Sequence, residues 1–261
     1  MSPKVYLIGR SQFDVDTFLS FLRNQSMDWH RSPQATEAEE LVEAAGRVCY
    51  MSFGRQQSPK TNAQYIRHLI CMGHESVLEH VSWTFLLEGV SRAFTHQLVR
   101  HRVGFAFSQL SQQYHDEAEA DFVEPTHLRE FPKAFAAWQR VIQAAREEYR
   151  EIQQAVAEEE HLLKLDSLKR EKMRAVRSIA RSILPNATET KIVVTANARA
   201  LRHFLKVRGS IAGDMEMRLV ATELLQFLQR EASSLFFDFM IGTLADGSPI
   251  VLHREETEQQ T

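Results

Sequence analysis

Cysteine is almost absent from the 261-residue chain, which contains Cys49 and Cys71 alone. Two thiols are too few for a disulfide framework or for a metal site made of four thiolates. Each cysteine is flanked on both sides by apolar residues. We therefore expect both thiols to be buried and neither to act as a nucleophile.

Long apolar runs and an excess of basic residues are also lacking. No stretch approaches the roughly 20 apolar residues that cross a bilayer, and the N-terminus lacks the basic start and long hydrophobic region of a signal peptide. A cytoplasmic location is therefore expected. With 31 Lys and Arg against 34 Asp and Glu, the net charge is -3, so no general positive field would attract a nucleic acid. Local arginines suit a small phosphorylated ligand better than a polymer.

The common loops for nucleotide phosphates are missing as well. The chain contains neither GxGxxG nor GxxxxGK followed by Ser or Thr, and it has no GxSxG or HExxH motif. The histidine pairs 74/80 and 96/101 lack a convincing third and fourth ligand, so no metal is expected. A phosphate would have to be held by guanidinium groups, whose planar fork donates two parallel hydrogen bonds to an oxyanion.

Hydrophobic periodicity predicts both helices and strands. Strands are expected at 5–8, 81–87 and 191–195. Helices are expected around 18–22, from Thr36 with a capping box to Glu39, at 61–72, at 134–183 with a break near 158–160 and resumption by Leu165, at 199–207 and at 214–237. The second helix should bury Leu41, Ala44, Ala45 and Val48, and the third should turn Tyr65, Leu69, Cys71 and Met72 partly inward.

These elements do not alternate in a regular βαβ order, so the predicted fold class is α+β, a mixed sheet packed with long helices. We expect a single domain over residues 1–261, with residues 1–35 and 255–261 peripheral. The polar residues from 255 onward are expected to fray.

The segment 92–114 reads RAFTHQLVRHRVGFAFSQLSQQY and carries the most chemistry. Two arginines flank His101 so closely that they repel one another unless an anion lies between them. The triplet could equally mark a solvated helix end, where the helix dipole favours cations. Phe105, Phe107 and Leu110 favour partial burial, and the neutral polar side chains between and after them suit the edges of a base: Ser108, Gln109, Ser111, Gln112 and Gln113.

The motif RHR followed by SQLSQ-x-Y resembles the signature of flavin-dependent thymidylate synthases. GHESVLEH at 73–80 is similar to the flavin-contacting segment of that family, and EGVSRAFTHQLVRHR follows in the expected order. ARSILPNATETKIVVTANARALRHFLKVR at 180–208 resembles its second conserved block. The three blocks cover most of 36–230, and the resemblance implies the fold of that family.

The resemblance also implies residue roles. Positions that contact FAD are matched by Ser76, Arg100, His101, Arg102, Gln109, Asn197, Arg199 and His203. Positions that hold dUMP are matched by Gln97, Arg100, Gln109, Ser111, Gln112, Gln113, Arg181 and Arg208. Arg181 is the expected phosphate partner, and Arg208 is the expected catalytic residue, which polarises the pyrimidine. Structural alternatives stay open: Ser76 could cap a helix, Asn197 could serve a turn, and Arg181 and Arg208 could be surface ion-pair residues.

The implied reaction is the reductive methylation of dUMP to dTMP without a cysteine nucleophile. FAD is the implied cofactor, methylenetetrahydrofolate the one-carbon donor and NADPH the electron source, in a homotetramer. Bound flavin carries the demanding chemistry, while a guanidinium stabilises negative charge on the base.

Three departures from the family pattern leave the substrate open. Eight residues separate Arg102 from Ser111, one more than the pattern has, and the insertion is expected within 103–107. Gln113 stands where the pattern has arginine, which would cost about 1.5–3 kcal/mol of binding unless another group replaces it. Ala212 stands where it has histidine. A relative that modifies another pyrimidine nucleotide, and a non-catalytic flavin- or nucleotide-binding homologue, are therefore alternatives.

Overall fold

The computed structural model describes residues 2–59, 61–163 and 169–254, and these ranges contain both helices and strands. The prediction of an α+β fold is confirmed. In chain order the elements are β1 (Lys4–Arg10), α1 (Val15–Asn24), α2 (Glu37–Val48), α3 (Asn62–Cys71), β2 (Ser82–Ser91), α4 (Arg92–Leu98), β3 (Phe105–Gln109), α5 (Pro132–Glu158), α6 (Lys169–Ala180), β4 (Glu189–Asn197), α7 (Ala198–Arg208), α8 (Met215–Glu231), β5 (Phe239–Thr243) and β6 (Pro249–His253).

The strands form two sheets. One has four strands in the order β1-β2-β4-β3, and the other is the antiparallel pair β5-β6, in which Phe239 faces His253. None of the described helices is long and apolar enough to cross a membrane.

The chain forms two compact units. The first comprises Met1–Lys4, Leu87–Arg100 and Ser108–Val193, and the second comprises Val5–Leu86, His101–Phe107 and Val194–Thr261. The chain therefore passes between the units several times. That the whole chain is a single domain stays a prediction.

The first unit is built on the pair α5 and α6. The hydrophobic periodicity that predicts a helix from 134 corresponds to a buried stripe of α5, which contains Ile142, Ala145 and Tyr149. The buried hydroxyl of Tyr149 accepts a hydrogen bond from the backbone N–H of Glu117 at 3.2 Å. The predicted break is also confirmed, since α5 ends at Glu158. The predicted resumption by Leu165 lies outside the described residues.

The second unit buries the apolar faces of α7 and α8 together with the start of β2. Trp83 and Phe85 of β2 are buried, as are Phe204 of α7 and Leu224 and Leu228 of α8. The last helix begins as predicted, with the side chain of its N-cap, Asp214, accepting from the N–H of Met217. It ends at Glu231 rather than at 237, because the backbone at Ala232 leaves the helical conformation (φ -159°, ψ 69°).

Helix α2 begins with the predicted capping box between Thr36 and Glu39. Its predicted apolar face is only partly right: Ala44 is buried, but Val48 is 39% exposed and Leu41 and Ala45 are half-buried. The buried face is rotated around the helix axis relative to the predicted one, because a charged pair occupies it. Glu43 and Arg47 lie there with no exposed side-chain area, and a hydrogen bond of 2.6 Å joins them.

The expectation that the cysteines are buried is wrong, since Cys49 and Cys71 are both exposed. Met72, predicted to turn partly inward, is 59% exposed. Helix α3 buries Tyr65, Ile66 and Leu69. Because successive residues of a helix are rotated by about 100°, Cys71 falls outside that face. Cys49 immediately follows α2 as its C-cap, where apolar sequence neighbours do not ensure burial.

Candidate active site

In the second unit, the end of α7 meets the histidine of the RHR triplet. Arg208 is the last residue of α7, and its Nε donates to Nε2 of His101 at 3.0 Å. Burial, followed by the positive charges of Arg208 and His203, lowers the pKa of His101. The ring is therefore neutral at pH 7, and Nε2 can accept a hydrogen bond from the guanidinium only if Nδ1 carries the ring hydrogen.

Aromatic neighbours hold this imidazole in place. Its centroid lies 5.4 Å from that of Phe204 in an edge-to-face contact, and 5.8 Å from that of Phe105. The ring of His203 lies 6.1 Å away. Three of the predicted site residues, His101, His203 and Arg208, are thus brought together within one unit.

The turn after Arg102 packs on the N-terminus of α7. Gly104 has a positive φ of +73° and its carbonyl accepts from the N–H of Asn197 at 3.1 Å. Asn197 caps α7, because its Oδ1 accepts from the N–H of Ala200 at 2.9 Å. A Cβ on Gly104 would lie 2.8 Å from the Cβ of Ala200, so only glycine fits this approach. The turn falls inside 103–107, but the position of the inserted residue stays a prediction.

Ser76 and Arg199 lie in the same neighbourhood of the second unit. Ser76 is exposed in the short 3₁₀ helix Glu75–His80. Arg199 donates to Glu79 at 2.6 Å and lies 3.5 Å from Glu75, with half of its side chain exposed. Arg199 therefore forms surface ion pairs. The sequence raised that possibility for Arg181 and Arg208 but not for Arg199.

A cavity of about 250 Å³ opens beside Arg199 and His203. Five lining residues that the sequence did not indicate are ionisable: Arg202, Lys206, Asp238, His253 and Glu75. A signal for the first two was present, because 199, 202, 203 and 206 recur at helical spacing and all are basic. Asp238 and His253 come from distant parts of the chain, and no local pattern announces them.

Asp238 is the centre of a buried charged cluster. Both of its oxygens accept from Arg202, at 2.7 and 2.6 Å, and His253 Nε2 lies 2.9 Å from one of them. Burial opposes ionisation of the carboxyl, but the hydrogen bonds and charge of Arg202 outweigh it, so the pKa of Asp238 is lowered. The cluster joins α7 to the β5-β6 hairpin.

The first unit carries all of the predicted nucleotide residues except Arg208. Gln97 is exposed near the end of α4, and its carbonyl accepts from the N–H of Arg100 in the following turn at 3.4 Å. Gln109 is half-buried, and its Nε2 donates to Thr95 at 3.0 Å and lies 3.5 Å from Thr190 Oγ1. Ser111 and Gln112 follow β3, both half-buried.

Arg92 and Arg181 add two guanidinium groups to this unit. The side chain of Arg92 is 15% exposed, lies 3.6 Å from Glu117, and donates to the carbonyl of Leu110 at 2.9 Å. Burial lowers the pKa of Arg92, and the nearby charge of Arg181 lowers it further. Burial also raises the pKa of Glu117 more than the charge of Arg92 lowers it. Arg92 was not singled out from the sequence, although it stands inside the quoted motif.

Gln113 is held between two side chains of α6. Arg174 Nε donates to its Oε1 at 3.0 Å, and its own Nε2 donates to Ser178 Oγ at 3.0 Å. The position where the family pattern has arginine therefore carries an amide that contacts an arginine from another element.

The donor set of the second unit fits a dinucleotide cofactor. The predicted flavin residues there are Ser76, His101, Arg102, Asn197, Arg199 and His203. Asn197 caps the N-terminus of α7, a helix of 11 residues, and Arg199 lies in its first turn, whereas His101 lies beside Arg208 at the other end of the helix. Amide and guanidinium groups at a helix N-terminus, which carries a partial positive charge, suit a pyrophosphate. Within the described ranges, no group of three or more His, Cys, Asp or Glu side chains is arranged to hold a metal ion.

Known proteins match this chain over most of its length. A model of the thymidylate synthase complementing protein family matches residues 33–232. The flavin-dependent thymidylate synthase of Mycolicibacterium gilvum is 39% identical over 257 residues, 98% of this chain and 97% of the relative. Those of Corynebacterium efficiens and Mycobacteroides abscessus are 43% and 42% identical, covering 88% and 89% of this chain and 90% and 91% of their own. The chain therefore belongs to the flavin-dependent thymidylate synthase family.

Proposed function

We propose that the protein catalyses the reductive methylation of dUMP to dTMP. FAD is the bound cofactor, methylenetetrahydrofolate donates the one-carbon unit and NADPH supplies electrons. The relatives named above support the reaction. The observation that carries the proposal is the hydrogen bond between Arg208 Nε and His101 Nε2.

This bond leaves the charge of Arg208 available to a substrate. A carboxylate partner would neutralise the guanidinium, whereas the lowered pKa of His101 keeps the imidazole uncharged. The contact fixes one edge of the planar group, and the Nη hydrogens remain to donate to a pyrimidine carbonyl. Donors held in place before the reaction stabilise developing negative charge without reorganisation. Arg208 therefore favours the polarised form of the base.

The flavin would be held by donors along α7 and the segments beside it. Arg102 and the N-terminus of α7 would bind the pyrophosphate. The other predicted flavin residues of this region would contact the rest of the cofactor: Ser76, Arg100, His101, Asn197, Arg199 and His203. Bound reduced flavin supplies the reducing equivalents that the methyl group needs. The protein forms the site, excludes water and orients the base.

The nucleotide is held by the polar residues of the first unit. Gln109 uses its N–H groups toward Thr95 and Thr190, so its Oε1 is the atom that can accept an N–H of the base. Gln97, Arg100, Ser111, Gln112 and Gln113 would complete the site, with Arg181 at the phosphate. We further propose a single domain, a homotetramer and a cytoplasmic location.

The test uses the purified full-length protein. We expect a flavin absorption spectrum that shifts when dUMP is added, and dTMP formation when methylenetetrahydrofolate and NADPH are present. Arg208→Ala should lower the rate by about 100- to 1000-fold, as removal of a preorganised donor does, while flavin binding is retained. Arg230→Ala is the matched control, because Arg230 is exposed on α8 with its guanidinium over Phe227.

Each alternative has its own outcome. A spectrum that responds to dCMP or UMP but not to dUMP would indicate a relative acting on another pyrimidine nucleotide. Flavin and dUMP binding without any product would indicate a non-catalytic homologue. Protein that takes up no flavin from excess FAD would contradict the proposal altogether.

A further inference from the structure

One face of α6 and of the 3₁₀ helix after it carries three polar side chains, and two of them, Arg174 and Ser178, contact the turn after β3. Arg174, Ser178 and Arg181 follow each other at steps of four and three residues, so they lie on one side of the helix. The helical path continues past the end of α6, since Arg181 begins a 3₁₀ helix, Arg181–Ile183. The expected phosphate residue Arg181 therefore shares its face with Arg174.

Gln113 links this face to the turn that follows β3. Its carboxamide accepts from Arg174 Nε and donates to Ser178 Oγ, both at 3.0 Å. Its backbone N–H donates to Ser111 Oγ at 3.3 Å. Gln113 thus connects Arg174, through its side chain, to Ser111, through its backbone, and Ser111 is one of the expected nucleotide residues.

The guanidinium of Arg174 is held at one edge and on one face. Gln113 bonds its Nε, and its carbon lies 5.3 Å from the ring centroid of Tyr114. Its Nη1 lies 3.5 Å from Glu171, but both side chains of this pair are more than a third exposed. Such a surface contact is weak, so an anion can displace it.

We propose that Arg174 is a phosphate-binding residue of the nucleotide site, oriented by Gln113, and that it selects a nucleoside monophosphate over the nucleoside. The proposal rests on the proposed function for the identity of the nucleotide. A phosphate monoester carries close to two negative charges at pH 7. Arg174 and Arg181 match this charge, whereas Arg92 already faces Glu117 at 3.6 Å. The cation that is missing at position 113 is therefore supplied from α6.

The test compares the binding of dUMP and of deoxyuridine, which lacks the phosphate, to the flavin-loaded protein by calorimetry. Arg174→Gln should weaken dUMP binding by about 10- to 150-fold, as the loss of a charged hydrogen bond does, and leave deoxyuridine binding unchanged. Arg170→Gln is the matched control: this exposed residue of α6 also lies over Tyr114, at 5.4 Å, but the hydrogen bond to Gln113 comes from Arg174.

A compensating variant separates binding from folding. Gln113→Arg in the Arg174→Gln background returns a guanidinium to the turn, so dUMP affinity should recover by at least tenfold. Equal dUMP affinity in Arg174→Gln and Arg170→Gln would overturn the inference. An equal loss for dUMP and deoxyuridine would also overturn it, because that pattern indicates a purely structural role.

Inorganic phosphate distinguishes this inference from the proposed function. Its binding is measured from the broadening of its phosphorus-31 signal. If the wild-type protein binds phosphate in a manner that depends on Arg174 but does not bind dUMP, the anion site stands and dUMP is the wrong nucleotide. If dUMP binds and Arg174 affects neither dUMP nor phosphate, the inference fails while the proposed function stands.

Discussion

Removal of the Arg47 side chain should cost the second unit a large part of its stability. The guanidinium is fully buried and bonds Glu43 at 2.6 Å and the carbonyl of Pro59 at 2.6 Å. Its carbon lies 4.0 Å from the ring centroid of Tyr65. Glu43 also accepts from Asn62 at 2.9 Å. Helices α2 and α3 and the segment before α3 therefore depend on one cation.

The expected magnitude follows from the charge that is left behind. In Arg47→Met the apolar volume is largely kept, but the carboxylate of Glu43 stays buried without its partner. Breaking a buried ion pair in this way costs about 3–5 kcal/mol. The carbonyl of Pro59 loses its donor as well, which places the expected loss toward the upper part of that range.

Urea unfolding followed by tryptophan fluorescence measures the effect as a lower midpoint at an unchanged slope. Arg10→Met is the control, because Arg10 pairs with Glu231 at 2.9 Å while 61% of its side chain is exposed. That variant should lose no more than about 1 kcal/mol. The double variant Glu43→Gln with Arg47→Met should be less destabilised than the sum of the single variants. A loss below about 1 kcal/mol for Arg47→Met would refute the reasoning.

Two further predictions concern the turn and the ring beside it. Because the folded state lowers the pKa of His101 from its ordinary 6.5, the unfolded chain binds more protons, and stability should fall as the pH drops through 6.5 toward the folded pKa. Arg208→Ala should raise this pKa in an NMR titration; an unchanged pKa would contradict the electrostatic assignment. Gly104→Ala should destabilise the protein by about 1–3 kcal/mol, since its Cβ would lie 2.8 Å from Ala200. Thermal unfolding without a change in Tm would exclude this.

Much of the fold was predictable because its signals are local. The capping box that begins at Thr36 and the hydrophobic periodicity of α5 identified helices that the structure contains. Strands β3, β5 and β6 were not predicted. Each has five residues, too few for alternation to stand out, and β5 and β6 form by pairing with each other.

The site residues were predicted from sequence motifs, which identify individual residues but not the contacts between residues that are distant in the chain. His101 and Arg208 were both identified, but their hydrogen bond spans 107 positions of the chain and no spacing rule reveals it. The partnership of Gln113 with Arg174 spans 61 positions. A substitution can be seen in the sequence, whereas its compensation by a distant element requires the structure.

The exposure of both cysteines has a consequence for inhibitor chemistry. Some electrophilic nucleotide analogues act by forming a covalent bond with a thiolate beside the base. Segments 97–113 and 174–181 contain no cysteine, so such an analogue would find no thiol there. Alkylation of the exposed Cys49 and Cys71 would instead consume such a reagent without labelling the residues proposed to bind the nucleotide. Selective ligands for this molecule must therefore gain their affinity from arginines and amides, through reversible contacts.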